Sequence, residues 1–527
     1  MRLNISAIIG LFLCFCTAQT LYAQSGPKST TGTPGENSKA ANAAAVVRAY
    51  RVANQHAIIR EFADFLAIPN IASDAPNITK NSQRLAQMLE KRGIQPQMLA
   101  ISGRGPVVVG DIKSPGAKRT VIFYAHYDGQ PVDAAVWVGN KPFDPLLFTD
   151  ALAKGGKQIP YPDAPAQLED NWRIYARSAS DDKAAIVAIL TALDALRAKS
   201  VPLSINVKLV FEGEEEAGSP NLGRVVDQHG DVFRGDLLLV CDGPSDQSGR
   251  PQITFGNRGD VDAEITVYGP ARALHSGHYG NWAPNPAMRL AQLLASMKDA
   301  NGRVLIAGFY DDVTPFGPRE RQAFADAPNN EAALERELGI AEPDGGGKHL
   351  VELIAEPSLN IRGLKSAYVG DQSQNIVPDR AVASLDMRLV KDVQPDKQVA
   401  RLIAHIEKQG YKVFDREPTL EERGKYPKVA MVTSHGGYPA TRTPMDLPAA
   451  TALVAAVAAA TGERPVLLPT LGGSVPMYIF ERRGLPIIGT PIANYDNSQH
   501  STNENIRLGS FWRGIEEFGG ILAGLEW

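Results

Sequence analysis

The segment FEGEEEAGSP, residues 211–220, sets four glutamates within five positions directly behind the apolar run INVKLVF. Carboxylates this close repel one another and rarely all stay ionised without solvent or a cation between them. Other groups of the same kind stand in equivalent places. TVIFYA leads into His126 and Asp128, DLLLVC into Asp242, and the stretch after LPIIGTPI reaches His500 in NSQHSTNE. An acidic pair, Asp181 and Asp182 in SASDDK, precedes a helical pattern that starts near Lys183. Ligands of open parallel sheets bind beyond the carboxyl ends of the strands, so these residues are expected along one sheet edge. One at a time they have plainer explanations: a structural hydrogen bond for the His-x-Asp pair, an N-cap for the aspartates, a solvated helix start for the glutamates. A metal site accounts for them together. Imidazole mixed with carboxylate and no cysteine suits zinc, with manganese or cobalt as the other candidates, whereas calcium and magnesium favour oxygen alone. Five candidate ligands exceed one tetrahedral ion and suit two ions sharing a carboxylate, an arrangement that recurs in hydrolases.

The elements that must position these residues alternate. Apolar residues at helical spacing mark Arg51 to Leu66, Ser82 to Arg92, Lys183 to Leu196 and Ala449 to Ala460. Between them lie short, nearly continuous apolar runs, PVVVGDI, TVIFYAHYD, INVKLVFEG, DLLLVCDG and LPIIGTPI, the signature of strands buried on both faces. The fold class expected is α/β with a mainly parallel sheet. From about Gly259 the order becomes strand, helix, strand, strand, helix, strand, through VDAEITVYG, SAYVG, RAVASLDMRLV and YKVFD, the split βαβ pattern of small α+β, ferredoxin-like domains. An insertion at roughly 301–360 carries the loose tract AEPDGGG. The α/β pattern resumes near Pro439. A catalytic domain over 45–258 and 439–527 with an inserted domain over 259–438 is therefore expected, with a ligand cleft between them.

A chain of 527 residues suits two such domains, and its net charge of −4, with both signs interspersed, gives no footprint for nucleic acid or an anionic membrane. The partner expected is a small molecule. At the N-terminus, Arg2, an apolar stretch from Ile5 to Phe15 and small residues at Ala18 and Ala23 have the layout of a signal peptide over 1–23, too short for a comfortable membrane span. Cleavage after Ala23, or after Ala18, would leave Cys241 as the sole cysteine of a secreted or periplasmic protein; an uncleaved anchor is the alternative. The polar, small-residue-rich residues 24–44 read as a disordered linker.

The motifs HYDGQP, SASDDK, FEGEEEAGS, LVCDG, LHSGHYGN, SLDMRLV, LGGSVP and QHSTNE resemble, in order and approximate spacing, the di-zinc metallopeptidase family. That family contains carnosinase-type dipeptidases, aminoacylase, acetylornithine deacetylase, succinyl-diaminopimelate desuccinylase and carboxypeptidase G. The resemblance covers nearly everything from about Ala45 onward. It implies that His126 and Asp242 hold one zinc, Glu216 and His500 the other, and that Asp181 bridges both, with a cis peptide between Asp181 and Asp182. By the same likeness Asp128 orients His126, and Glu215 is the general base for a hydroxide held between the ions. His275 stabilises the oxyanion, in dimeric members from the other subunit. Arg388, Asn375 and the Gly473–Ser474 backbone grip the substrate. Glu212 and Glu214 match no role, and alternation away from the site or solvation is expected for them. The family pattern is altered at ARSAS, where G-R-G is usual, and at Ala184; the extra segment KGGKQIPYPDAPAQ is a candidate wall of the pocket. The activity implied is hydrolysis of dipeptides or short peptides by a homodimer joined through the inserted lid domain. N-acyl amino acid deacylation and non-catalytic peptide binding are the alternatives.

Overall fold

The computed structural model describes residues 38–101 and 105–527. The signal peptide expected over 1–23, and residues 24–37 of the expected linker, lie outside the described residues. Residues 38–44 are not linker, because Ser38–Leu66 is one continuous helix. The small residues that suggested a linker form a packing surface. Ala40, Ala43 and Ala44 are buried. The helix approaches the last one, Leu508–Gly524, so closely that a Cβ on Gly519 or Gly524 would come within 2.5 Å of Val47 Cγ2 or Ala40 Cβ. Among the described residues no helix is long and apolar enough to cross a membrane.

The apolar runs form an eight-stranded sheet. Its order is Pro96–Leu99, Val107–Ile112, Asn206–Glu212, Thr120–His126, Leu237–Val240, Ile487–Gly489, Gln252–Thr254, Val466–Leu468. Its centre is parallel: Thr120–His126 runs alongside both Asn206–Glu212 and Leu237–Val240, with Ile487–Gly489 parallel beyond. The flanking pairings of Val107–Ile112 and Ile487–Gly489 with their outer neighbours are antiparallel. Strand alternation sends Val121, Phe123 and Ala125 into a large core under the helices Ser38–Leu66, Lys183–Ala198, Pro448–Thr461 and Leu508–Gly524. Ile122 and Tyr124 point the other way, into a smaller cluster with Val225 and Phe480. The register sets His126 opposite Glu212 and Tyr124 opposite Val240. Two strands therefore finish level and the third stops two residues short, so the residues after them share one edge.

Strand Gly256–Tyr268 leaves this region beside Thr441–Arg442 and Leu471–Ser474 and enters a second sheet. There the order is Ser358–Lys365, Arg380–Leu389, Gly256–Tyr268, Val429–Thr433, Lys412–Phe414, with helices Pro286–Ala295 and Pro395–Lys408 on its core. Two strands differ from expectation. SAYVG is not a strand; its place is taken by SLNIRGLK, residues 358–365, whose alternation is hidden because it is an exposed edge. YKVFD contributes only Lys412–Phe414, an edge strand, while Val429–Thr433 pairs with the central strand. Within the expected insertion lie three short helices, Pro318–Asp326, Glu331–Leu338 and Leu350–Ile354.

A small third sheet joins Asn505–Arg507, Arg173–Tyr175, Leu146–Phe148 and Gln158–Ile159. It carries the extra segment expected to wall the pocket. That segment instead lies on the first helix: His56 contacts the carbonyls of Pro162 and Ala166 at 3.1 and 2.9 Å, and Arg60 pairs with Asp163.

Candidate metal centre

The strand ends bring the expected ligands together. His126 Nε2 lies 2.9 Å from Asp181 Oδ1 and 3.9 Å from Asp242 Oδ2. His500 Nε2 lies 3.1 Å from Asp181 Oδ2 and 3.3 Å from Glu216 Oε2. Asp181 thus faces one histidine with each oxygen. His126 and Asp181 are buried, whereas the His500 side chain is half exposed. The peptide between Asp181 and Asp182 is cis. Donor atoms of His126, Asp181 and Glu216 lie within 4.8 Å of one another, as do those of His126, Asp182 and Asp242.

Asp128, fully buried, sits behind His126 with Oδ1 3.4 Å from Nδ1; its backbone carbonyl is nearer, at 3.2 Å. Its carboxylate accepts from the Glu215 and Glu216 amides at 3.1 and 3.0 Å, so one aspartate ties the FEGEEEAGSP turn to the His126 strand. The two spare glutamates are not solvated. Glu212 is buried and accepts from the Tyr124 hydroxyl at 2.5 Å; Glu214 is buried and accepts from Asn221 Nδ2 at 2.8 Å. Strand alternation does not reach Glu214, because the strand ends at Glu212 and the chain turns at once into Glu215–Ala217.

The electrostatics are those of too many carboxylates in too little water. Burial, then Asp181, pushes Glu216 up to about 8 and Asp242 to about 7. Burial lifts Glu215 well above the usual carboxylate range, and Asp242, Glu216 and Asp128 add to this against His126. Burial would raise Asp181 too, but its hydrogen bonds to His126 and His500 outweigh this and hold it below the usual range. The bond to Asp181 raises His500 to about 9. Asp242 Oδ1 is buried with no hydrogen-bond partner. An unpartnered carboxylate oxygen within a set of two imidazoles and several carboxylates is a donor set fitted to divalent cations.

On the substrate side, Arg388 Nη1 donates to Ser474 Oγ at 2.8 Å and its Nε lies 3.5 Å from Asp260 Oδ1, with Gly473 exposed alongside. His275 and Asn375 are not brought to this cluster. Both are exposed, on the short ladder Leu274–His275 with Ile376–Val377 and beside it. His275 accepts from the Gly277 amide and stacks on His278, ring centroids 4.4 Å apart. A cleft of about 650 Å³ starts at Ala217–Pro220, directly after Glu216, and reaches Asp260, Tyr438 and Tyr478. Three contributors were missed from sequence. Gln130 donates to Glu216 Oε2 at 2.7 Å, Gln499 to Asp181 Oδ2 at 3.3 Å, and Glu504 underlies the Asp181 loop. Gln130 lies within HYDGQP, and Gln499 and Glu504 are the first and last residues of QHSTNE, which was the available signal.

Residues 122–523 match the family model described as Peptidase family M20/M25/M40. This chain belongs to that family. It is a peptidase, and the family is metal-dependent. A Cys-Gly metallodipeptidase of Candida albicans is 26% identical over 481 residues, covering 87% of this chain and 92% of that one. The human Beta-Ala-His dipeptidase is 26% identical over 451 residues, covering 83% and 81%. Among solved structures, an M20 family metallo-carboxypeptidase of Sulfolobus solfataricus has a TM-score of 0.73 at 29% identity, covering 89% of this chain and 99% of that one.

Proposed function

We propose that this M20 peptidase is a di-zinc dipeptidase, with His126 and Asp242 on one ion, Glu216 and His500 on the other, and Asp181 between them. The convergence of both histidines on the two oxygens of Asp181 carries this reading. The dipeptidase names of the Candida and human relatives support the substrate class. Manganese or cobalt would suit the same donors. Divalent ions held by these residues would supply a more acidic water and a polarised scissile carbonyl.

The rest is done by the chain. Glu215, lifted well above the carboxylate range by burial, is basic enough to take the proton from the attacking water and to hand it to the leaving amine. Asp128 fixes where Glu215 stands through its backbone amide. Arg388 and Ser474, already joined, bind the free carboxylate of the substrate, for which a guanidinium fork is suited. His275 of the partner subunit would reach the oxyanion, consistent with its exposure on the inserted domain. The dimer contact would use exposed apolar residues of that domain: Leu364 on its edge strand, 61% exposed, with Val369 at 86% and Trp282 at 82%. The signal-like layout of the N-terminal residues supports export to the periplasm or outside the cell as part of this reading.

The test is a panel of dipeptides and N-acyl amino acids offered to protein loaded with zinc, manganese or cobalt. Dipeptides should be cleaved, and Glu215→Gln should lower turnover about 10²–10⁴-fold while zinc still binds. Cleavage of N-acyl amino acids alone would make it a deacylase, and undiminished turnover by Glu215→Gln would remove that residue from the mechanism.

A further inference from the structure

Asp181 and His500 both sit outside regular structure. Asp181 follows the short strand Arg173–Tyr175, and His500 precedes Asn505–Arg507, which pairs with it. Both segments hold backbone conformations that side chains other than glycine rarely adopt. Ser178 has φ 62°, Ser498 57°, His500 59° and Asn503 62°. Such backbone persists only where its surroundings over-determine it.

One side chain does this for both segments. Glu504 is 0% exposed. Its Oε1 accepts from the Ser180 amide (2.8 Å), the Ser180 hydroxyl (2.8 Å) and the Asp181 amide (2.9 Å). Its Oε2 accepts from Arg177 Nη1 (2.7 Å) and the Ser178 amide (2.9 Å). Arg177 Nη2 then donates to the Ser501 carbonyl at 3.1 Å, closing back on the turn that carries His500. The link also reaches the His126 strand. Ser178 Oγ donates to the Asp128 carbonyl at 3.3 Å and accepts from Asn70 Nδ2 at 2.8 Å. Five donors on one carboxylate saturate it, and none of them is a metal or a substrate.

We propose that Glu504 is a positioning residue that fixes the separation of Asp181 and His500 and thereby sets the affinity of the site for its ions. The inference rests on the reading of Asp181 and His500 as ligands. Glu504→Gln keeps the shape but turns an amide NH₂ toward groups that are themselves donors, so at least one side of the clamp must open.

Zinc affinity is measured by competition with a chromophoric chelator, and thermal unfolding is followed on chelated protein. Glu504→Gln should bind zinc about 10–100-fold more weakly, the range typical when a group supporting a ligand is removed. A merely structural residue would lower the unfolding temperature of the chelated protein and leave the zinc affinity of the folded protein within about threefold of wild type, well below that range. That result would overturn the proposal. If Glu504→Gln does not fold, Ser180→Ala removes one donor and spares the ion pair with Arg177: weakened zinc binding sustains the proposal, and wild-type affinity overturns it. Failure of the wild-type protein to bind zinc would sink the ligand assignment itself, and is visible before any substitution is made.

Discussion

Stripping the metal should make this protein less stable as pH rises, and zinc should repair more at high pH than at low. Glu216 moves from 4.5 to about 8 in the folded, metal-free site and Asp242 from 3.8 to about 7. A carboxyl raised in this way keeps its proton when folded and gives it up when unfolded. Its contribution is fully present below the unfolded value and is lost as pH climbs through the folded one. Asp181 raises both groups, so we count one net titration of about three pH units at about 1.4 kcal/mol each, or about 4 kcal/mol between pH 5 and 8. With about 2.1 cal/mol/K of unfolding entropy per residue, a folded chain of roughly 500 residues shifts by about 1 °C per kcal/mol. The gap in Tm between zinc-loaded and chelated protein should therefore widen by about 4 °C from pH 5 to pH 8. Scanning fluorimetry at a buffered free zinc concentration measures it, and groups remote from the site cancel in the difference. A gap that stays constant or narrows would refute the idea that the metal replaces protons on these carboxylates.

Three further outcomes are expected. Arg388→Ala should raise KM for free dipeptides about 10–100-fold, the weight of a charged hydrogen bond, and should change little for dipeptides amidated at the C-terminus; equal losses on both would remove Arg388 from carboxylate binding. Neither His275→Ala nor Glu215→Gln should be active alone, and mixing them with confirmed subunit exchange should restore turnover if the two residues act from different subunits. Tyr124→Phe should cost about 1–3 kcal/mol of stability by stripping the donor from buried Glu212, read as a lower Tm, with zinc affinity retained.

The candidate ligands were legible as neighbours because strands buried on both faces write themselves as unbroken apolar runs, and the first polar residues after each run stand at the sheet edge. His126, Glu216 and Asp242 needed no more than that. What was hidden depended on contacts distant in sequence. Glu212 and Glu214 look identical to Glu215 and Glu216 as letters, and only Tyr124 and Asn221 separate their fates. Glu504 acts chiefly through backbone amides, which no residue type announces. Ala40, Ala43 and Ala44 read as loose chain because small side chains serve flexible tails and tight helix contacts equally well. In the second sheet, YKVFD has the stronger strand composition, yet Val429–Thr433 holds the inner place because it is the segment that pairs with Gly256–Tyr268.

The second sheet also divides the centre in time. His126, Asp181, Glu216 and Asp242 precede it in the chain, and His500 follows it. During synthesis the four early groups emerge first, but the last imidazole, and with it Glu504 that holds the Asp181 loop, appears only after the whole second sheet has been made. A ribosome that stops early would release a product with a rim of crowded carboxylates and no second histidine.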